Sequence, residues 1–300
     1  LRILVGVISV VVPAHNEAAV IGRLLAGLLR DARPGEFDVV VVANGCTDDT
    51  AGVAAGFGPD VTVVSTPVPS KFAALRLGDE RARGFPRLYV DADVELGTED
   101  ARALAGALSE PGVLAVAPER DLALDRRPPS VRWYYQFWER LPVVRAGLFG
   151  RGVIGVNAEG KRRLGQVPDV LGDDLAASVA FEQGQRRVVR RARVRVHTPR
   201  TRADLVRRRI RSLTATAQLA ERTEAAAAGL PGPQGEASRA GLAAARTTRA
   251  DLLTVVRSDP RMALRLPAFL GITLLSRRGA RRRIRSGDYT TWLRDESSRT

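Results

Sequence analysis

Two carboxylates one residue apart, Asp91-Ala92-Asp93, close a short apolar run from Arg87 to Val90. At the end of a buried strand such a pair can share a hard divalent cation, which prefers oxygen ligands and bridges readily to phosphate. Taken alone, the triplet has a plainer reading as a solvated turn or a helix cap. Other reactive types stand at similar places. His15-Asn16-Glu17 and Asn44-Gly45-Cys46-Thr47-Asp48 each follow a β-branched run, and Lys71 is one of only two lysines. A second acidic pair, Asp173-Asp174, precedes Leu175 at an expected helix start, downstream of a glycine-rich stretch from Gly147 to Gly155. His197 ends an alternating run; the choice for it is between a metal ligand and an ordinary packed or surface residue. Trp133 to Trp138 concentrates aromatic side chains, for core packing or for stacking on a ligand.

The elements needed to position these residues are legible in the first half of the chain. Ile8 to Val12, Phe37 to Val42, Val61 to Val64 and Arg87 to Val90 have the form of buried strands. Between them, Ala18 to Arg30 carries Val20, Ile21, Leu24, Leu25, Leu28 and Leu29 at helical spacing, with Asn16 available as a cap. A short helix follows Thr47-Asp48-Asp49, and Ser70 opens another that runs to Arg83. A βαβαβαβ order predicts an α/β fold: a mostly parallel, Rossmann-like sheet with helices on both faces. Ligands of such sheets bind at the carboxyl ends of the strands, where the polar clusters stand. Later, Arg191, Arg193 and Arg195 alternate with Ala192, Val194 and Val196 as on one strand. After about Arg202 the composition becomes Arg- and Ala-rich, and Leu230 to Gly235 is expected to break a helical hairpin. The expected division is a domain over 1–201, in two halves that meet near residue 120, followed by a helical region over 202–300.

Composition excludes several classes. The 300 residues are 45% hydrophobic and 27% charged, so the chain is not wholly disordered. One Cys excludes an internal disulfide framework. No apolar stretch reaches the length of a spanning helix, and the first one lacks a signal-peptide cleavage site, so a cytoplasmic protein is expected. The chain opens on Leu1, so a start upstream is also expected. Lys and Arg total 47 against 33 Asp and Glu, a balance of +14. That favours polyanionic partners, although the arginine skew also suits a base-composition bias.

In order along the chain, the clusters resemble the motifs of glycosyltransferase family 2, inverting bacterial enzymes of GT-A fold. Val12-Pro13-Ala14-His15-Asn16-Glu17 is similar to the first-strand motif and Asn44 to Thr50 to the second-strand motif. Ser70 to Leu75 resembles a G-K-x-x-A-L segment with Ser in place of Gly. Asp91-Ala92-Asp93 stands at the D-x-D position and Asp173-Asp174 at the E-D position. Arg208 to Ser212 takes the place of Q-x-x-R-W, keeping only Arg211. The likeness covers roughly residues 8 to 212.

The resemblance implies a nucleotide-diphosphate sugar donor, with a UDP-sugar expected, and a divalent cation, Mn²⁺ or Mg²⁺. It places Pro13, His15, Glu17, Asn44, Asp48, Lys71, Asp91, Ala92, Asp93 and Arg211 around the donor. Asp93, with Asp91 and His197, would hold the metal, and Asp174 would be the general base. Asp173 and Trp133 fall on the acceptor side, the acceptor being a hydroxyl of a glycan, a lipid-linked molecule or a small molecule. The chemistry agrees: transfer needs charge stabilisation on the leaving diphosphate and a base within reach of the acceptor hydroxyl. Missing Gln and Trp in the last motif favours single transfer over processive synthesis, in cell-envelope, glycolipid or secondary-metabolite assembly.

Alternatives are a non-catalytic sugar-nucleotide binder and a basic nucleic-acid or lipid-surface binder; nucleic acid leaves the acidic motifs without a role and is not the expected partner. For the tail, apolar Leu264 to Leu275 beside six arginines has two readings. One is peripheral contact with an anionic membrane, at the inner face of the plasma membrane; the other is docking onto the catalytic domain.

Overall fold

The computed structural model describes residues 6–165, 180–229 and 247–286. The expected strands form: β1 (Ile8–Ala14), β2 (Phe37–Asn44), β3 (Val61–Thr66) and β4 (Arg87–Val90). β1 and β2 are buried along their whole length, which is why apolar residues follow one another in each rather than alternate; the buried polar exceptions Ser9 and Asp38 satisfy each other, Ser9 Oγ donating to Asp38 Oδ2 at 2.9 Å. Helices α1 (Ile21–Leu29), α2 (Thr50–Ala55) and α3 (Lys71–Arg81) connect them. Ser70 caps α3 as expected, accepting from Ala73 N. Asn16 does not cap α1. Val20 holds that position, because residues 17–20 close a turn in which Glu17 O accepts from Val20 N and Ile21 N.

β5 (Val94–Leu96), α4 (Thr98–Ala107), β6 (Ala115–Ala123), α5 (Pro129–Trp138), α6 (Pro142–Ala146), β7 (Val153–Val156) and α7 (Ala158–Leu164) follow. β8 (Arg186–His197) then leads to α8 (Arg202–Gly229), α9 (Arg249–Ser258) and α10 (Leu266–Arg285). Eight strands make one sheet in the order β3-β2-β1-β4-β7-β6-β8-β5. β1 pairs parallel with β2 and β4, and β2 with β3. The other half joins antiparallel, β7 to β4 and β6, and β8 to β5. Because β2 and β4 flank β1, the direction of winding reverses between β1 and β4, and the loops leaving their carboxyl ends diverge to leave a crevice.

By its internal contacts the chain divides into two units. The first takes in residues up to 122 and, beyond α6, residues 148–197; the second takes in 123–147 and the chain from 198. In the first, Leu24, Leu25 and Leu28 of α1 pack with Val10, Val12, Val39 and Val41 in one core. In the second, the aromatic run resolves into α5, with Tyr134, Tyr135, Phe137 and Trp138 buried and Trp133 45% exposed. Phe269 of α10 stacks on Tyr134 and Phe137, at centroid separations of 5.4 and 4.8 Å.

A polar tie on the first unit carries a testable pH dependence. Arg102 of α4 grips Glu36, just before β2, through Nε to Oε1 and Nη2 to Oε2, both at 2.6 Å. The guanidinium holds the Glu36 carboxyl down at about 2 from its ordinary 4.5. This stabilisation is therefore complete above pH 4.5 and lost as the pH falls toward 2. Arg102→Met is expected to lose about 1 kcal/mol at neutral pH. In urea denaturation the deficit should shrink below pH 4.5 and be gone near pH 2.

Candidate functional site

The loops after β1 and β2 are laced together by side chains bonded to backbone. Asn44 is buried, and its Nδ2 donates to Ala14 O at 2.8 Å, while His15 Nδ1 donates to Asn44 O at 2.6 Å. Asn16 sits at φ +53°, a left-handed conformation that Asn tolerates, and its Oδ1 accepts from Thr47 N at 2.7 Å. Asp48 accepts from Ala18 N through Oδ2 and from Thr50 N through Oδ1, both at 3.1 Å. Thr50 Oγ1 in turn accepts from Glu17 N at 2.8 Å, and Glu17 is buried. Gly45, at φ +58°, has no room for a side chain: a Cβ there would lie 2.7 Å from Pro69 Cβ. Asn44 and Asp48, expected among the ligand contacts, thus spend these groups on the shape of the loops. Pro13 is buried at the end of β1.

One strand across, burial alternates from Asp91 to Leu96: Asp91, Asp93 and Glu95 are half-buried while Ala92, Val94 and Leu96 enter the core. That alternation keeps the carboxylates out of the core. Ala92, whose methyl is buried, has only its backbone to offer a ligand. Lys71, the first residue of α3, donates from Nζ to Asp91 Oδ1 at 2.6 Å, with both side chains about one-third exposed. Asp91 N donates to Gly152 O at 2.8 Å. Gly152 is at φ +66°, and a Cβ there would meet Val94 Cγ1 at 2.5 Å and Asp91 Oδ2 at 3.4 Å. Beside it, Arg151 is fully buried and donates from Nη1 to Pro118 O at 2.8 Å, tying this glycine segment to β6.

The β5–β8 ladder pairs Val94 with Val196 and Glu95 with Arg195, and His197, two residues on from Arg195, shares the face of Glu95. Opposed residues of an antiparallel pair share a face. On that face His197 Nε2 lies 2.6 Å from Glu95 Oε1. The structure thus gathers Lys71 with Asp91, and Glu95 with His197, in the first unit, with Asp93 between the two pairs in sequence. Trp133 and Arg211 belong to the second unit, Trp133 exposed on α5 and Arg211 half-buried on α8. Asp173 and Asp174 lie outside the described residues. The sequence reading did not single out Glu95 or Gly152. Glu95 had a visible signal in its i+2 spacing from Asp93, and Gly152 in the glycine-rich stretch.

The donor set suits a divalent cation. Asp91 is matched by the Lys71 ammonium and His197 by Glu95; carboxylate oxygens with an imidazole are a mixture of donors that Mn²⁺ accepts. A carboxylate on the far nitrogen of a ligating histidine is a common second support, and Glu95 has that geometry. Among the described residues no three His, Cys, Asp or Glu side chains converge on one metal position. Cations that bind phosphates through one or two carboxylates take their remaining ligands from substrate and water.

These features define a doubly wound α/β protein with a carboxylate pair beside its switch point. Residues 9–158 match the family described as Glycosyl transferase family 2, and the chain belongs to that family. It is 34% identical over 119 residues to a 4,4'-diaponeurosporenoate glycosyltransferase of Staphylococcus aureus, a match that covers 37% of this chain and 31% of that protein. The fold is that of GT-A glycosyltransferases. A mannosyltransferase from Pyrobaculum calidifontis in complex with GDP-Man and Mn²⁺ superposes with a TM-score of 0.61 at 20% identity, covering 94% of this chain and 87% of that one. Glucosyl-3-phosphoglycerate synthase from Mycobacterium tuberculosis in complex with UDP gives 0.52 at 23% identity, covering 72% and 80%.

Proposed function

We propose that the chain is an inverting, single-transfer glycosyltransferase that moves a sugar from a nucleotide-diphosphate donor, a UDP-sugar being the first candidate, to an acceptor hydroxyl. The observation that supports this reading is the ion pair of Lys71 with Asp91 beside the switch point of a sheet that belongs to this family, with Asp93 two residues on. The interlocked loops after β1 and β2 form the wall for the base and ribose, with Pro13, His15 and Glu17 lining it. Lys71 reaches donor oxygens while fixing Asp91, which orients the ribose. Arg211 is proposed as a donor contact, and Trp133 and Asp173 as acceptor contacts.

Asp93 and His197 would hold Mn²⁺ or Mg²⁺, with Glu95 orienting the imidazole; a bound cation would offset the charge that develops on the leaving diphosphate. Asp174 takes the proton of the acceptor hydroxyl, whose oxygen forms the new bond to C1. The bond from C1 to the diphosphate oxygen breaks with its electron pair, and the nucleoside diphosphate leaves. One displacement inverts the anomeric carbon. Proton NMR of the product tests this: an α-linked donor should give a β-linked product, and an α-linked product would overturn the single displacement.

Among the described residues no helix is long and apolar enough to cross a membrane. The reaction is proposed to take place in the cytoplasm, where sugar nucleotides are supplied, within envelope, glycolipid or secondary-metabolite assembly.

A further inference from the structure

The second unit carries a surface that includes none of the residues assigned above to the donor, the cation or the acceptor. Helix α10 buries one face only: Phe269, Ile272, Ser276 and Ala280 recur at helical spacing and are all buried. Its other face is divided along the axis. Toward the N-terminal end stand Leu270, Leu274 and Leu275, exposed by 38, 60 and 49%. Toward the C-terminal end stand Arg277, Arg278, Arg281, Arg282 and Arg285, all exposed. At 1.5 Å per residue the stripe from Leu270 to Arg285 is about 22 Å long, and the helix contains no acidic residue. Leu264, just before α10, and Leu253 of α9 are also exposed. Among the described residues these five leucines are most of the eight exposed large apolar side chains. The apolar tail named in the sequence is therefore two sets: Phe269 faces the aromatic core of α5, and Leu264, Leu270, Leu274 and Leu275 face outward.

We propose that the outward face of α10 docks on the surface of an anionic phospholipid bilayer, the leucines entering the acyl boundary and the arginines meeting headgroup phosphates. Charge decides the occupant. A second copy packed parallel about a two-fold axis would set this arginine cluster against its own like, and an antiparallel copy would lay its arginines on the partner's leucines, burying charge against apolar surface. Nucleic acid would match the arginines but give the leucines nothing to bury in. A bilayer surface with anionic headgroups satisfies both halves of the stripe, and arginines beside an exposed apolar face are the usual composition of an interfacial helix.

The full chain should co-sediment with vesicles of phosphatidylcholine containing about 30 mol % phosphatidylglycerol, at least tenfold more strongly than with phosphatidylcholine alone. Replacing Arg278, Arg281 and Arg285 by Gln should weaken that binding roughly 100-fold at low ionic strength. Leu274→Asp should weaken it about tenfold and Leu274→Trp strengthen it, since indole favours the interface. All these side chains are exposed, so melting temperature and nucleotide-sugar binding should not change, which separates failure here from failure of the transferase reading. Equal binding to neutral vesicles, or none to anionic ones, overturns the proposal. So does binding to duplex DNA that the arginine variants lose and Leu274→Asp keeps. Self-association abolished by Leu274→Asp, without vesicle binding, would assign the face to a second copy instead.

Discussion

Asp93→Ala should reduce metal-dependent release of nucleoside diphosphate by at least about 1,000-fold, because a lost ligand removes charge stabilisation worth several kcal/mol from the leaving group. Asp93 is half-buried just after β4, the last strand of the parallel array, so the substitution removes a charge without opening the core. The loss should appear as a collapse of the Mn²⁺ titration, with the melting temperature of the unliganded chain little altered. Glu95→Gln should be the milder companion. It keeps a hydrogen bond to His197 but weakens the orientation of the ring, and Mn²⁺ affinity in the presence of nucleotide should fall about 10- to 100-fold. Mn²⁺ electron paramagnetic resonance reads that change without turnover. Full activity in Asp93→Ala would remove the carboxylate from the mechanism.

Asp174→Asn should lower kcat about 100- to 10,000-fold, the range of a lost general base, while donor affinity stays near wild type. Asp173→Asn is the comparison, and should cost much less if Asp173 only caps a helix or touches the acceptor. Stopped assays with saturating donor separate the two, since a base acts on the chemical step and an acceptor contact raises KM. Equal losses in kcat for both variants would put the base elsewhere.

The first half of the chain was legible because its strands are buried on both faces. Ile8 to Val12 and Phe37 to Val42 are rich in β-branched residues, and with Arg87 to Val90 their ends had to deliver His15, Asn44 and Asp91 to one edge of a parallel sheet. The direction of individual polar side chains was not legible. Asn16 reads as a helix cap from local sequence, yet its partner is Thr47 across a neighbouring loop. That competition depends on where two loops meet, not on propensity. The antiparallel half of the sheet was hidden for a related reason. β5 has only three residues, and its partner β8 lies about a hundred residues further on, so the contact between Glu95 and His197 exists only after long-range closure. The amphipathic tail shows a third limit. Composition reveals leucine beside arginine, but only the packing of Phe269 on Tyr134 and Phe137 shows which apolar side chains are spent on the core.

The central claim is donor binding with a cation at the ends of β1, β2 and β4, and thermal shift tests it most directly. The full chain is melted with UDP-, GDP- and TDP-sugars, each with Mn²⁺, with Mg²⁺ and with chelator, beside Asp93→Ala. A ligand of the native state at 100 times its Kd adds about 2.7 kcal/mol. One nucleotide should therefore raise the melting temperature by roughly 5 °C with metal, much less with chelator, and not at all in Asp93→Ala. No shift with any nucleotide, or a shift that persists unchanged with chelator and in Asp93→Ala, would contradict it.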